Sequence, residues 1–121
     1  MEERRKFVRV KARFDMTYAV VPDGATHQVV TQNVSGGGLC FLAPETLAVG
    51  TRLRTVITLP GCAQPMAVTA TVLRSDPFEL VSKAGRQQGA EIAVRFLDIA
   101  SHDREVLMQQ ALLHIRSHPS P

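Results

Sequence analysis

Two arginines four residues apart, Arg5 and Arg9, provide anion-binding chemistry near the start of the sequence, and Arg4 stands beside the first of them. A planar guanidinium group pairs bidentately with phosphate oxygens or with the O6/N7 edge of a guanine. In an extended segment, residues four apart lie on the same side, roughly 13 Å from each other. The two arginines could therefore contact separate parts of one extended ligand, or the segment that holds them could bend around it.

A second candidate motif runs from Asn33 to Gly38 with the sequence Asn-Val-Ser-Gly-Gly-Gly. Asn33 and Ser35 offer side-chain donors and acceptors on one side of a strand end. The three glycines lack a Cβ, so a ligand can approach the backbone amides closely, as in an anion-binding nest. The motif predicts polar contacts to a ligand, although a simple hairpin turn would use the same residue types.

The excess positive charge of the chain lies in the segment that holds the arginines. The formal net charge is +3. Residues 1–13 contain six basic and two acidic side chains, whereas the rest of the chain contains eight basic and nine acidic ones. The N-terminal segment is therefore the part expected to meet an anion, with an ordinary solvated basic arm as the alternative.

The elements that must position these residues are mainly β-strands. Apolar and polar residues alternate without a break from Val8 to Val20, which predicts one long half-buried strand. Between the last two strand patterns, the polar residues 76–89 are predicted to form a mobile loop. The five shorter strand patterns lie at about 27–34, 39–43, 52–59, 66–74 and 92–96.

The pattern changes at Ser101, which has the properties of an N-cap and begins a predicted helix. Val106 and Leu113 lie nearly opposite its predicted buried face, where they could contact a partner or a second copy of the chain in a homodimer. Six strands followed by one helix predict an all-β domain with a C-terminal helix, built as a small antiparallel barrel. The residues predicted to form the buried face are Met108, Ala111, Leu112 and Ile115.

The composition limits the classes of protein to which this chain can belong. A chain of 121 residues that is 45% hydrophobic is typical of one globular domain. No apolar stretch is long enough to insert into a membrane, and no secretory signal is present, so a cytoplasmic location is expected. Cys40 and Cys62 lack neighbours at metal-ligand spacing and are expected to be reduced thiols.

Together, the R-x-x-x-R spacing of Arg5 and Arg9 and the N-x-S-x-x-G spacing of residues 33–38 resemble the PilZ domain family. The resemblance extends over essentially the whole chain, since Val94–Asp98 is similar to the family's usual last strand. It implies a single domain over residues 1–121. In that domain, a flexible basic arm (1–9) precedes a six-stranded antiparallel β-barrel (10–98) and a helix (101–117).

The resemblance also implies binding of cyclic di-GMP. Arg74 ends a Thr-Val-Leu-Arg pattern that the family also shows, and it could reach a guanine or be a surface arginine at a strand end. Ala93 stands where many members have a glycine, which leaves open how the last strand meets the ligand. The expected contacts to cyclic di-GMP are Arg4, Arg5, Arg9, Asn33, Ser35, Gly36, Gly37, Gly38 and Arg74.

The implied function is that of a receptor that signals to a still unidentified partner protein in control of motility, biofilm formation or exopolysaccharide production. No paired carboxylates, nucleophile motif or metal-ligand spacing is found, so neither catalysis, a metal nor a cofactor is indicated. One alternative is a nucleotide-independent adaptor of pilus or motility machinery. The other is a barrel that binds single-stranded nucleic acid, which would need aromatic stacking platforms, whereas the chain has no Trp and one Tyr.

Overall fold

A computed structural model describes residues 8–117, which form seven strands and one helix. The predicted arm over residues 1–9 falls mostly outside this range, as do Arg4 and Arg5. The helix in this range is neither long nor apolar enough to cross a membrane. The elements are β1 (Val10–Lys11), β2 (Asp15–Val20), β3 (His27–Val34), β4 (Gly38–Ala43), β5 (Arg52–Thr58), β6 (Met66–Ser82), β7 (Gly85–Asp98) and α1 (Ser101–Ser117).

The predicted first strand is divided into a short strand, β1, and a longer one, β2, which both pair with β3. The side chain of Thr31 in β3 occupies the gap between them. Its hydroxyl donates to the Ala12 carbonyl at 2.6 Å and accepts from the Phe14 N–H at 2.9 Å. The buried hydroxyl thereby pairs with backbone groups that leave the ladder, as buried polar groups require.

The sheet closes into a six-stranded antiparallel barrel because β3 pairs with β4 as well as with β2. The order around the barrel is β3–β2–β5–β6–β7–β4, and β4 returns to β3. Alternate residues of each strand point inward, and the largest fully buried side chains include Tyr18, Phe14 and Phe41. The prediction of a six-stranded barrel with a C-terminal helix is confirmed.

The helix buries a face that overlaps the predicted one only in part: Ala111 is buried and Met108 packs against the core, as predicted. Leu107 and Ala111, four residues apart, are fully buried, whereas Leu112 and Ile115 are 53% and 44% exposed. Val106 is partly buried against the core, so it does not form an exposed pair with Leu113. Apolar residues occur on several sides of this helix, and its packing against the barrel, not its periodicity, selects the buried side.

The segment over residues 76–89 is not a mobile loop, and that prediction was wrong. There β6 and β7 continue as an antiparallel hairpin, paired from Asp76 and Glu91 to Ser82 and Gly85 around a two-residue turn. Most of these residues are exposed. Because both faces of the extension meet solvent, the apolar alternation that marks a half-buried strand is missing.

Candidate functional site

Two parts of the predicted site share one row on the outer face of the barrel. Asn33 of β3 pairs with Cys40 of β4, Cys40 pairs with Ala93 of β7, and Ala93 pairs with Arg74 of β6. The side chains on either side of Cys40 in β4 point into the core, so this row points outward. Three strand spacings separate its ends by roughly 14 Å. We call Asn33, Cys40, Ala93 and Arg74 the outer row.

The basic first strand borders the outer row beyond Asn33. Lys11 of β1 pairs directly with Asn33, and Arg9 is an exposed residue immediately before β1. The structure therefore brings the second arginine of the first motif near the strand that holds the second motif. Arg4 and Arg5 lie outside the described residues, so the positions of their side chains stay predictions.

Ser35 organises the tight turn between β3 and β4. Its backbone N–H donates to the Gly38 carbonyl at 2.8 Å, and its Oγ accepts from the N–H groups of Gly37 and Gly38, each at 3.2 Å. The two amides predicted to meet an anion therefore point at the Ser35 hydroxyl. In this structure Ser35 shapes the loop that carries the motif, a role that the spacing in the sequence did not reveal.

The motif loop is also anchored from two distant elements. The Gly37 carbonyl accepts from the Phe96 N–H of β7 at 2.9 Å, and the Gly36 carbonyl accepts from Arg104 Nε of α1 at 3.0 Å. At Gly38, a Cβ would lie 2.0 Å from the Val94 carbonyl oxygen. The glycine at position 38 is therefore required by the close approach of β4 and β7. No sequence signal pointed to Arg104, since 68 positions separate it from the glycine whose carbonyl it contacts.

Arg74, at the far end of the outer row, is held by two carboxylates. Its Nη1 donates to the carboxylate of Asp76 and to Glu91 Oε1, the latter at 3.2 Å, and its Nη2 lies 4.0 Å from Cys40 Sγ. The hydrogen bonds that Arg74 donates to Asp76 and, to a lesser extent, to Glu91 raise the pKa of the guanidinium further above its usual value. One cation faces two anions, so an anionic ligand that reaches Arg74 must compete with both carboxylates.

His, Cys, Asp and Glu side chains are spread through the part of the chain from residue 8 to residue 117. No group of three or more His, Cys, Asp or Glu side chains in that range is arranged to hold a metal ion. The polar groups gathered on the outer face are instead an amide, a cationic strand and a guanidinium that two carboxylates hold. Such a set suits an anion that also carries hydrogen-bonding rings.

Comparisons with known proteins point to one family. The model of the PilZ domain matches residues 3–113. No curated protein matches the sequence significantly. Among solved structures, the chain is similar to the PilZ domain of YcgR from Escherichia coli with c-di-GMP. The TM-score is 0.72 at 16% identity, over 95% of this chain and 94% of that one.

Two further solved structures share the fold and are longer. The Bacillus subtilis inhibitor of motility, MotI/DgrA, gives a TM-score of 0.68 at 20% identity, over 98% of this chain and 55% of that one. The MrkH–c-di-GMP complex of K. pneumonia gives 0.69 at 15% identity, over 99% of this chain and 56% of that one. The chain thus spans about half the length of these two proteins.

Proposed function

Because the chain belongs to the PilZ domain family, we propose that it is a receptor for cyclic di-GMP that signals to a partner protein and is not an enzyme. One observation carries the proposal: Asn33 of the second motif pairs with Lys11 on the strand that follows Arg9 of the first motif. Arg9 of the first motif thereby lies next to the strand that holds Asn33 of the second motif. The YcgR domain, which has the same fold, is described with c-di-GMP.

The chemistry of the ligand matches the groups on this face. Cyclic di-GMP presents two phosphodiesters and two guanines. The guanidinium groups of Arg5 and Arg9 would pair with phosphate oxygens or with a guanine edge. Arg4 would add a third guanidinium group beside them. Asn33 would pair with a base edge, while Ser35 would keep the motif loop in the shape that receives the ligand.

The proposed output is a contact with a partner protein in the cytoplasm, in control of motility, biofilm formation or exopolysaccharide production. Two structural relatives favour this kind of output. One is an inhibitor of motility, and MrkH is described as a c-di-GMP-dependent transcription regulatory factor. In both, the region similar to this chain accounts for about half of the protein.

Calorimetric titration with cyclic di-GMP tests the proposal, with GTP and cyclic di-AMP as control ligands. We expect saturable binding of cyclic di-GMP at micromolar concentration or below and much weaker binding of both controls. Absence of cyclic di-GMP binding at micromolar concentration would refute the receptor and favour a nucleotide-independent adaptor.

A second expected result concerns the carboxylates around Arg74. Asp76→Asn and Glu91→Gln should each strengthen cyclic di-GMP binding about two- to fivefold, because each removes a negative charge that competes for Arg74 and repels phosphate. The gain should shrink at high salt, since these groups are exposed.

Glu79→Gln is the matched control for these two variants. It removes the same charge from the same hairpin, but Glu79 pairs with Arg86 at 3.6 Å instead of Arg74. Its affinity for cyclic di-GMP should equal that of the wild type. An equal gain in all three variants would assign the effect to net charge and contradict a local role of the carboxylates.

A further inference from the structure

A groove of about 890 Å³ lies on the outer face of the barrel and meets the outer row at Asn33. It extends away from Arg74, towards the basic first strand. Apart from Asn33, its lining residues belong to neither sequence motif. The six that carry the argument are Lys11, Arg13, Val30, Gln32, Asn33 and Leu42.

A β-bulge turns Gln32 into this groove. The pairing of β3 with β4 shifts register between Thr31 and Asn33, so Gln32 is the extra residue. In a regular strand, consecutive side chains would point to opposite faces, whereas the two neighbouring residues of a bulge can share one face. Gln32 and Asn33 both line the groove, and the buried Thr31 borders it. Bulges commonly redirect a side chain in this way beside a functional site. Gln32, the redirected residue, carries a side-chain amide and belongs to neither sequence motif.

The side-chain carbonyl of Gln32 has an unused hydrogen-bonding capacity. Among residues 8–117, its Oε1 is a buried side-chain atom with no hydrogen-bond partner. Buried polar atoms in folded proteins are nearly always paired, so each exception calls for an explanation. A small rotation of the side-chain amide would bring this oxygen to the groove, where a donor on a ligand would provide the missing partner.

The walls of the groove suit a planar base attached to a phosphate. Val30 and Leu42 are 38% and 41% exposed and offer apolar surface to a ring face. Lys11 of β1 and Arg13, which lies between β1 and β2, add two cations that can pair with a phosphodiester oxygen. The recessed carbonyl of Gln32 selects a donor that protrudes from the ring, and the exocyclic amine is the most protruding donor of guanine.

We propose that this groove seats one guanine of the ligand and that Gln32 Oε1 accepts a hydrogen bond from its exocyclic amine. Gln32 is then a specificity-determining residue that recognises the amine of guanine. The inference rests on the proposed function, because it assigns a subsite of the same ligand.

The test compares cyclic di-GMP with cyclic di-IMP, in which hypoxanthine replaces guanine and the exocyclic amines are missing. Calorimetry on the wild type should show roughly tenfold tighter binding of cyclic di-GMP. Gln32→Met keeps the length of the side chain and removes its polar atoms. This variant should bind both ligands about equally, with the affinity of the wild type for cyclic di-IMP.

Gln28→Met is the matched control, because Gln28 is an exposed residue of the same strand that does not line this groove. It should retain the tenfold preference. Without ligand, Gln32→Met should melt at or above the temperature of the wild type, since it removes a buried unpaired acceptor.

The outcomes separate the inference from the proposed function. A Gln32→Met variant that still prefers cyclic di-GMP tenfold, or a wild type that binds both ligands equally, would overturn the inference and leave the receptor intact. A lower melting temperature of Gln32→Met would also count against it, because the carbonyl would then have a partner within the protein. A wild type that binds neither ligand would remove the receptor and the inference together.

Discussion

Replacing Arg5 or Arg9 with alanine is expected to weaken cyclic di-GMP binding at least about tenfold and to leave the melting temperature nearly unchanged. A charge-assisted hydrogen bond contributes roughly 1.5–3 kcal/mol, and every 1.4 kcal/mol corresponds to a factor of ten in affinity. Arg9 is exposed, and no ion pair involves it among the described residues. Its removal should therefore change the free energy of unfolding by no more than about 0.5 kcal/mol.

Arg52→Ala and Arg54→Ala are the controls for the loss of one positive charge. Both residues are exposed on β5, which is three strands from β4 in either direction around the barrel. For all four variants, calorimetry measures the affinity for cyclic di-GMP and thermal unfolding measures the melting temperature. If Arg5→Ala and Arg9→Ala bind as tightly as the wild type, the assignment of the two arginines is wrong, although the receptor function can still hold.

Gly38→Ala is expected to destabilise the fold by about 3 kcal/mol or more, with or without ligand. The new Cβ would lie 2.0 Å from the Val94 carbonyl oxygen, and that atom belongs to the backbone of a paired strand. Neither strand can move without breaking the β4–β7 pairing, so the cost should exceed that of ordinary overpacking. Thermal unfolding should show a melting temperature lower by roughly 10 °C or more.

Gly50→Ala is the control that distinguishes the steric clash of a new Cβ from the strain of a positive φ. Gly50 has a φ of 92°, and nothing lies within 4 Å of its added Cβ. Its substitution should cost only about 1–2 kcal/mol. A Gly38→Ala variant that melts like the wild type and yet fails to bind cyclic di-GMP would show that the ligand, and not strand packing, requires the glycine.

The sequence by itself determined most of the strands and which of their faces is buried, because the relevant signals are local. Alternation of apolar and polar residues predicts which side chains face the core, and it placed Phe14, Met16 and Tyr18 correctly. A tight turn at the glycines after Ser35 was the alternative to a ligand contact, and the structure contains such a turn between β3 and β4. Where both faces of a segment meet solvent, as in the hairpin over residues 76–89, this signal vanished and the prediction failed.

Only the tertiary structure decided which distant residues share the outer face that holds the candidate site. Asn33 and Arg74 are placed on one outer face because β4 and β7 lie between their strands, and Glu91 reaches Arg74 only through the pairing of β6 with β7. The contact of Arg104 with the motif loop depends on how α1 docks, and the direction of Gln32 depends on a register shift. Such placements follow from closure of the barrel, which joins residues far apart in the chain and leaves no trace in local periodicity.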